Sequence, residues 1–398
     1  LNWYGAVFDV STIVLSGIEC LEDATFSSAD FGGSAVFGAA EFEKEISFIS
    51  TEFGESAHFD ETKFGGRTTF DSAAFEHVSF RAVEFGSSAS FMHVGFGEVV
   101  LFADAEFGDS AYFRSATFEG DAEFANADFE ESADLRSTEF EERAGFLRTE
   151  FGAGVNFRFA EFGGSTCFLD VGFGSHPVFS DATFDEGPDF SSIESLADGK
   201  FNGADLTGAS FDTVVLHDAD FEDALLSRAT LFGADFRGAK LNGAVLGDVR
   251  IDEDTRFLGH PDDDGNISPH TFSAMRSKPC CVYDPNYKRG DDETDVDQAK
   301  SVYRALEELA GKAARPRLQS QCFVRRQDLQ KDGYKRDLIE TESWQERLIA
   351  GARYSRAKVA RGTLLYGESP WRIIGGSLGF IFLVSLLYPL GEWLRPVG

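Results

Sequence analysis

The chain has 398 residues and holds 42 Phe against 9 Tyr, 2 Met and 10 Pro, which excludes an ordinary globular mixture and points to a periodic use of phenylalanine. Acids outnumber bases 68 to 36 for a formal net charge of -32, which argues against direct binding to a nucleic-acid backbone. Five cysteines, Cys20, Cys167, Cys280, Cys281 and Cys322, are too few and too scattered for a disulfide framework, so a reducing compartment is expected.

Residues 1–23 read as an N-terminal cap without a secretory signal, and the start at Leu rather than Met suggests a fragment or a processed chain. From Phe26 the large apolar residues fall at Phe31, Phe37, Phe42, Phe48, Phe53, Phe59, Phe64 and Phe70, with gaps alternating five and six. The unit is therefore eleven residues. It runs to Phe190, slipping by one residue near Phe80 and admitting Leu135 once. From Phe201 the spacing is a strict five through Leu206, Phe211, Leu216, Phe221, Leu226, Leu231, Phe236, Leu241, Leu246 and Ile251.

Two positions before most large residues stands a small one, such as Ala29, Ala40, Ala105, Ala116, Ala204 and Ala234. An offset of two puts both side chains on one face of an extended segment, so each unit offers a large and a small inward group. The other three positions hold Gly, Asp, Glu, Ser and Asn, residues suited to turns and to water. A period of five matches neither helix nor long strand, which predicts a chain that turns a corner once per unit. That is a solenoid.

FNGADLTGAS, FEDALLSRAT and FRGAKLNGAV resemble the pentapeptide repeat, and FRSATFEGDAEFANADF resembles its Phe-rich variant. The resemblance covers about residues 24–257 and implies an all-β solenoid, a right-handed quadrilateral β-helix with four units per coil. Its core columns are expected to include Phe31, Phe42, Phe53, Phe64, Phe107, Phe118, Phe129, Leu206, Phe211, Phe221, Phe236 and Leu241. At four large residues per turn this gives about ten coils, roughly 50 Å at ~4.8 Å per strand. One Phe and one Ala per unit cannot offset the ordering of the backbone alone, so stability must come from stacked neighbours.

Residues 1–250 carry 46 acids and 14 bases, so the whole net charge lies on the repeats. Two explanations are open: an even acidic coat adapted to high salt, favoured by 25 Arg against 11 Lys, and a DNA mimic offered to a type II topoisomerase, as some pentapeptide-repeat proteins do.

Residues 258–297 read as an acidic linker, after which Asp295 or Asp297 can cap a helix through Ala299, Val302, Leu306 and Ala310. Further helices are expected at about Ser320–Lys331 and Glu342–Leu365, making residues 298–370 a basic juxtamembrane region. Residues 373–391 form nineteen uncharged positions, about 28 Å as a helix against a hydrocarbon core of ~30 Å. A transmembrane helix is therefore expected over 371–394, with Arg361, Tyr366, Trp371 and Arg372 at one interface and Tyr388 and Trp393 at the other. The cation excess before the span puts the β-helix in the cytoplasm, as a single-pass cell-membrane protein.

AKSVYRALEELAG, FVRRQDL and LLYGESPWRIIGGSLGFIFLVSLLYPL are similar to the region that joins pentapeptide repeats to a two-helix, potassium-channel-like pore in haloarchaeal membrane proteins. This chain departs from that pattern, since no T-x-G-Y-G filter is present. An oligomer is expected if the parent is channel-like.

No phosphate-binding loop, dinucleotide fingerprint or nucleophile elbow occurs. The seven histidines show no metal spacing, and His260 and His270 with the adjacent Cys280 and Cys281 make a poor zinc set. The expectation is a non-enzymatic scaffold without cofactor or metal, bound to a bilayer through 373–391 and to a protein on the β-helix surface.

Overall fold

The computed structural model describes residues 1–259, 282–285, 295–364, 374–375 and 377–382. The chain divides into two compact units, Leu1–Asp263 and Asp264–Gly398.

The first unit is a parallel β-solenoid with four faces. On one face the strands Val7–Phe8, Asp30–Phe31, Glu52–Phe53, Ala74–Ser79, Gly95–Leu101, Thr117–Phe118, Glu139–Phe140, Glu161–Phe162 and Thr183–Phe184 follow one another, nine strands and so eight turns. The column continues as single bridges through Asp205, Leu225 and Val245. Pairing is in register, so Phe31 lies over Phe53 and Phe107 over Phe129. Hydrogen bonds run from coil to coil, as from Glu52 N to Ala29 O at 2.9 Å and from Phe48 N to Thr69 O at 2.7 Å.

The five-and-six spacing has a geometric cause. Between Phe26 and Phe53 the five-residue steps turn their corners through Ser28, Ala39 and Ser50, all at positive φ. The six-residue steps between them use no such residue. In the strict-five stretch every step has one, beginning with Gly203, Gly208, Thr213, Asp218 and Asp223. A left-handed residue tightens the corner by one position; Gly takes it at Gly203 and Gly208, and Ser, Ala, Thr or Asp at the other corners named.

The slip near Phe80 is the exception. Ala74–Ser79 runs straight through its corner, so that Ala57 pairs with Val78, twenty-one residues on. A bulge between Phe75 and His77 restores the twenty-two-residue register against Gly95–Leu101. These two long strands join two faces into a fifteen-stranded sheet, while the other two faces are seven-stranded sheets.

Inside, the rings obey two geometries. Along a column they stack, with Phe31 and Phe53 at 5.1 Å and 2° and Phe107 and Phe129 at 4.4 Å and 0°. Across the core, between opposite columns, they meet edge to face, as Phe26 and Phe37 do at 5.5 Å and 89°, while the neighbouring Phe26 and Phe31 are tilted by 40°. Phe31, Phe42, Phe53, Phe64, Phe107, Phe118 and Phe129 are buried, as are Leu206, Phe211, Phe221, Phe236 and Leu241. At Thr51 and Thr149, where Thr replaces the small Ala, the hydroxyl is satisfied internally: Thr51 Oγ1 donates to Phe26 O at 2.8 Å and Thr149 Oγ1 to Phe124 O at 2.8 Å, whereas Thr166 Oγ1, in the same position of its unit, is buried without a hydrogen-bond partner among the described residues.

The second unit contains α1 (Val296–Lys312), α2 (Pro316–Glu340) and α3 (Trp344–Val359), the last continuing as a wider turn over Ala360–Leu364. Asp295 caps α1, accepting from Asp297 N and Gln298 N. α2 begins with Pro316 and runs beyond Lys331 through Gly333 to Glu340, with no proline to interrupt it. Asp284, fully buried, accepts from Tyr303 Oη of α1 at 2.7 Å and from Arg325 Nε of α2 at 2.6 Å, with Arg325 Nη2 on its other oxygen. Burial works against the Arg325 charge, but the hydrogen bond and charge of Asp284 outweigh it and raise the guanidinium pKa.

The expected transmembrane helix is not seen: among the described residues no helix is long and apolar enough to cross a membrane. Of the span 371–394 only 374–375 and 377–382 are described, eight helical positions worth about 12 Å against a core of ~30 Å. Its remaining residues lie outside the described residues.

Two outcomes follow from this packing. Phe107→Ala, which opens a ring-sized gap in a closed stack, should cost about 3–5 kcal/mol in urea denaturation, and Phe107→Leu distinctly less. Ala39→Gly relieves an exposed left-handed alanine and should raise stability by up to about 1 kcal/mol in the same measurement.

Candidate interaction surfaces

The pairing that piles rings inside also piles the outward residues into files. The third face of the coil presents Glu19, Glu41, Lys63, Glu84, Glu106, Asp128 and Glu150 in successive register. The face that follows it presents Thr25, Ser47, Thr69, Ser90 and Tyr112. At strand positions the third face carries an unbroken file of four acids, Glu84 to Glu150, although acids also stand on the first face at Asp30, Glu52, Glu139 and Glu161 and on the face that follows at Asp134. The file has a period of one whole coil, so it shows in sequence only when positions twenty-one or twenty-two apart are compared.

Stacking like charges directly opposite one another is unfavourable for folding. Lys63 is the single cation of the file, and its Nζ lies 2.8 Å from Glu84 Oε1. The hydrogen bond and charge of Glu84, then the charges of Glu41 and Glu106, raise the Lys63 pKa. Arginines gather elsewhere: Arg136 grips Asp134 with Nε at 2.8 Å and Nη2 at 2.6 Å, and Arg114 reaches the same carboxylate at 3.5 Å. Burial raises the Asp134 pKa, with Arg114 opposing it.

Further along the third face Asp235 holds Arg237 Nη2 at 2.7 Å and His217 Nε2 at 3.1 Å. Burial pushes its carboxyl up, but Arg237 and His217 outweigh that and bring the pKa below the usual value. An open groove lies where the coil shortens, lined by Phe184, Asp185, Asp205, Thr207 and Arg228.

Glu76, His77 and Glu98 offer ligand atoms within 4.8 Å of one another, and they are the residues best able to hold a metal ion among those described. Sequence spacing missed them because Glu98 arrives from the next coil, at the bulge, where His77 Nε2 stands 3.4 Å from Glu98 Oε2. They remain exposed or half-buried.

Of the expected membrane-interface residues Arg361 is described. Its Nε donates to Asp328 Oδ1 at 2.8 Å, so it braces the helical unit. Tyr366, Trp371, Arg372, Tyr388 and Trp393 lie outside the described residues, as do His260, His270, Cys280 and Cys281.

The charge file generates a measurable expectation. Lys63→Glu would leave seven consecutive carboxylates, lowering the melting temperature at low salt, with the loss shrinking as added salt screens the file; an unchanged salt dependence would mean the file is energetically silent.

Family models for pentapeptide repeats match residues 102–150 (nine copies) and 195–231 with 214–248 (eight copies). No curated protein matches the chain. Among solved structures, HetL, a pentapeptide repeat protein involved in heterocyst differentiation regulation from the cyanobacterium Nostoc sp. strain PCC 7120, is 19% identical over 56% of this chain and 92% of its own, with a TM-score of 0.24. QnrB1, a plasmid-mediated fluoroquinolone resistance protein, is 14% identical over 59% of this chain and 94% of its own, with a TM-score of 0.17. At such scores the fold rests on the chain's own ladder and not on these likenesses. Repeat models are thus matched in both the eleven-residue and the five-residue stretches, on a solenoid whose coils close in that period, so these stretches carry pentapeptide repeats.

Proposed function

We propose that this is a non-enzymatic interaction scaffold: the β-helix offers its third-face carboxylates to a cationic protein surface, and residues 373–391 hold the chain at a lipid bilayer, with the β-helix in the cytoplasm. The observation that carries the reading is the file itself. Glu84, Glu106, Asp128 and Glu150 stand in consecutive register with one lysine nearby, an arrangement that costs folding energy and that a cationic partner would relieve. The sign of the charge disfavours nucleic acid as the direct ligand.

The bilayer part is supported by the uncharged run 373–391 and by the exposure of Ile374, Leu378, Phe380 and Ile381 within it. Orientation is supported by the cations Arg353, Arg356, Lys358 and Arg361 before the run against Arg395 after it. The same arrangement would serve the cytoplasmic part of a channel-like assembly. No observation favours the topoisomerase-binding alternative over this one.

Two experiments test the two parts. A photo-crosslinking residue at Glu106 should give a protein adduct in cells that one at Ser90 does not, and Glu84→Lys with Asp128→Lys should abolish it; equal adducts from both faces would end the file's role. The full chain should stay in the membrane fraction through a high-salt wash and lose that behaviour when 373–391 is deleted. Recovery of the intact chain in the washed supernatant would remove the tether.

A further inference from the structure

α3 turns two faces to its surroundings. Ala350 is buried and Tyr354 and Ala357 are half-buried, while Leu338 of α2 lies 3.5 Å from where a Cβ on Gly351 would stand. That side packs on α2. At about 100° per residue, Trp344, Leu348, Ala352, Ser355 and Val359 fall within roughly 80° of one another on another side. Trp344 is 68% exposed, Leu348 65% and Val359 62%. Arg347 and Lys358 border this stripe on one edge and Arg356 on the other, and all three are exposed; Arg353 lies farther round, over the Tyr334 ring of α2 at 6.0 Å. Glu346 is the one acid within the helix.

An apolar stripe with cations along both edges fits an interface where hydrocarbon meets anionic headgroups. The stem of each cation can lie along the apolar surface while its head reaches a phosphate. Trp344 at the start of the stripe is the residue type that favours such a boundary. A second copy's acidic file has the right sign of charge. It offers only carboxylates and Lys63 at its strand positions, with no apolar recess for Trp344 or Leu348.

The geometry points to α3 as a membrane-surface helix: it lies in the plane of an anionic bilayer, its Trp344–Leu348–Val359 stripe immersed and Arg347, Arg356 and Lys358 on lipid phosphates. This rests on the bilayer reading above and adds the lipid class, without using the residues of 373–391.

The test uses the full chain with vesicles of phosphatidylcholine alone and of phosphatidylcholine mixed with phosphatidylglycerol, at low and high salt. Binding to the mixed vesicles should be stronger, and the variant Arg347→Gln, Arg356→Gln, Lys358→Gln should weaken that preference at least about tenfold. Brominated lipid should quench part of the tryptophan fluorescence, and Trp344→Phe should remove that part only with mixed vesicles. Leu348→Glu, at an exposed position with helicity checked by circular dichroism, should reduce quenching in the same way. Equal binding to both vesicle types, unchanged by the charge variant and without Trp344 quenching, overturns the proposal while leaving the tether standing. Binding only to the mixed vesicles, lost in the charge variant, supports α3 even if the tether fails. No binding to either vesicle overturns both. Salt-sensitive self-association without lipid, with no Trp344 quenching, assigns the stripe to a second copy and overturns the lipid reading.

Discussion

The structure depends on in-register parallel stacking of coils whose length is a whole number of repeat units. Once a coil closes after four units, each residue lies over its equivalent in the next, and the hydrogen bonds between coils hold it there. The phenylalanines exploit this. Within a column the rings lie nearly parallel, and across the core they meet edge to face, so four large side chains share each cross-section. Neighbouring coils share the burial, and for that reason one coil has no independent stability.

The same constraint acts on the outside, where it has an electrostatic consequence. A repeat cannot place a glutamate on one face without placing its equivalents one strand spacing away, unless the sequence varies between coils. Here Glu84, Glu106, Asp128 and Glu150 follow one another on the third face with Lys63 set before them, while the face that follows carries Thr25, Ser47, Thr69 and Ser90 before Asp134. The opposing arginines are spent on Asp134 and on Asp235, away from Glu84–Glu150. The result is a surface whose charge has direction, built from a fold that has almost no loops to carry a pocket.

The helical unit follows other rules. A fully buried carboxylate, Asp284, is matched by a guanidinium and a phenol from two different helices, and leaving any one of them unpaired would be costly. That cluster fixes α1 against α2 and leaves α3 supported along one side. The exposed Trp344, Leu348 and Val359 are unlike the single apolar residues scattered on most surfaces, because they align and are bordered by charge.

The sequence by itself determined the solenoid, its two spacings and the inward positions, because burial of a large residue at every fifth or sixth place leaves a period that no helix or long strand can imitate. It also offered Asp295, beside Asp297, as the cap of α1, and showed the helices, though not the extension of α2 to Glu340. Tertiary structure alone decided which outward residues become neighbours: Glu76 and His77 meet Glu98, and Lys63 meets Glu84, only because a coil of twenty-one or twenty-two residues brings them together. Asp284 was hidden in the same way, its partners lying nineteen and forty-one residues on. Apolar periodicity is a local property of a chain, whereas the matching of charges depends on where the backbone returns.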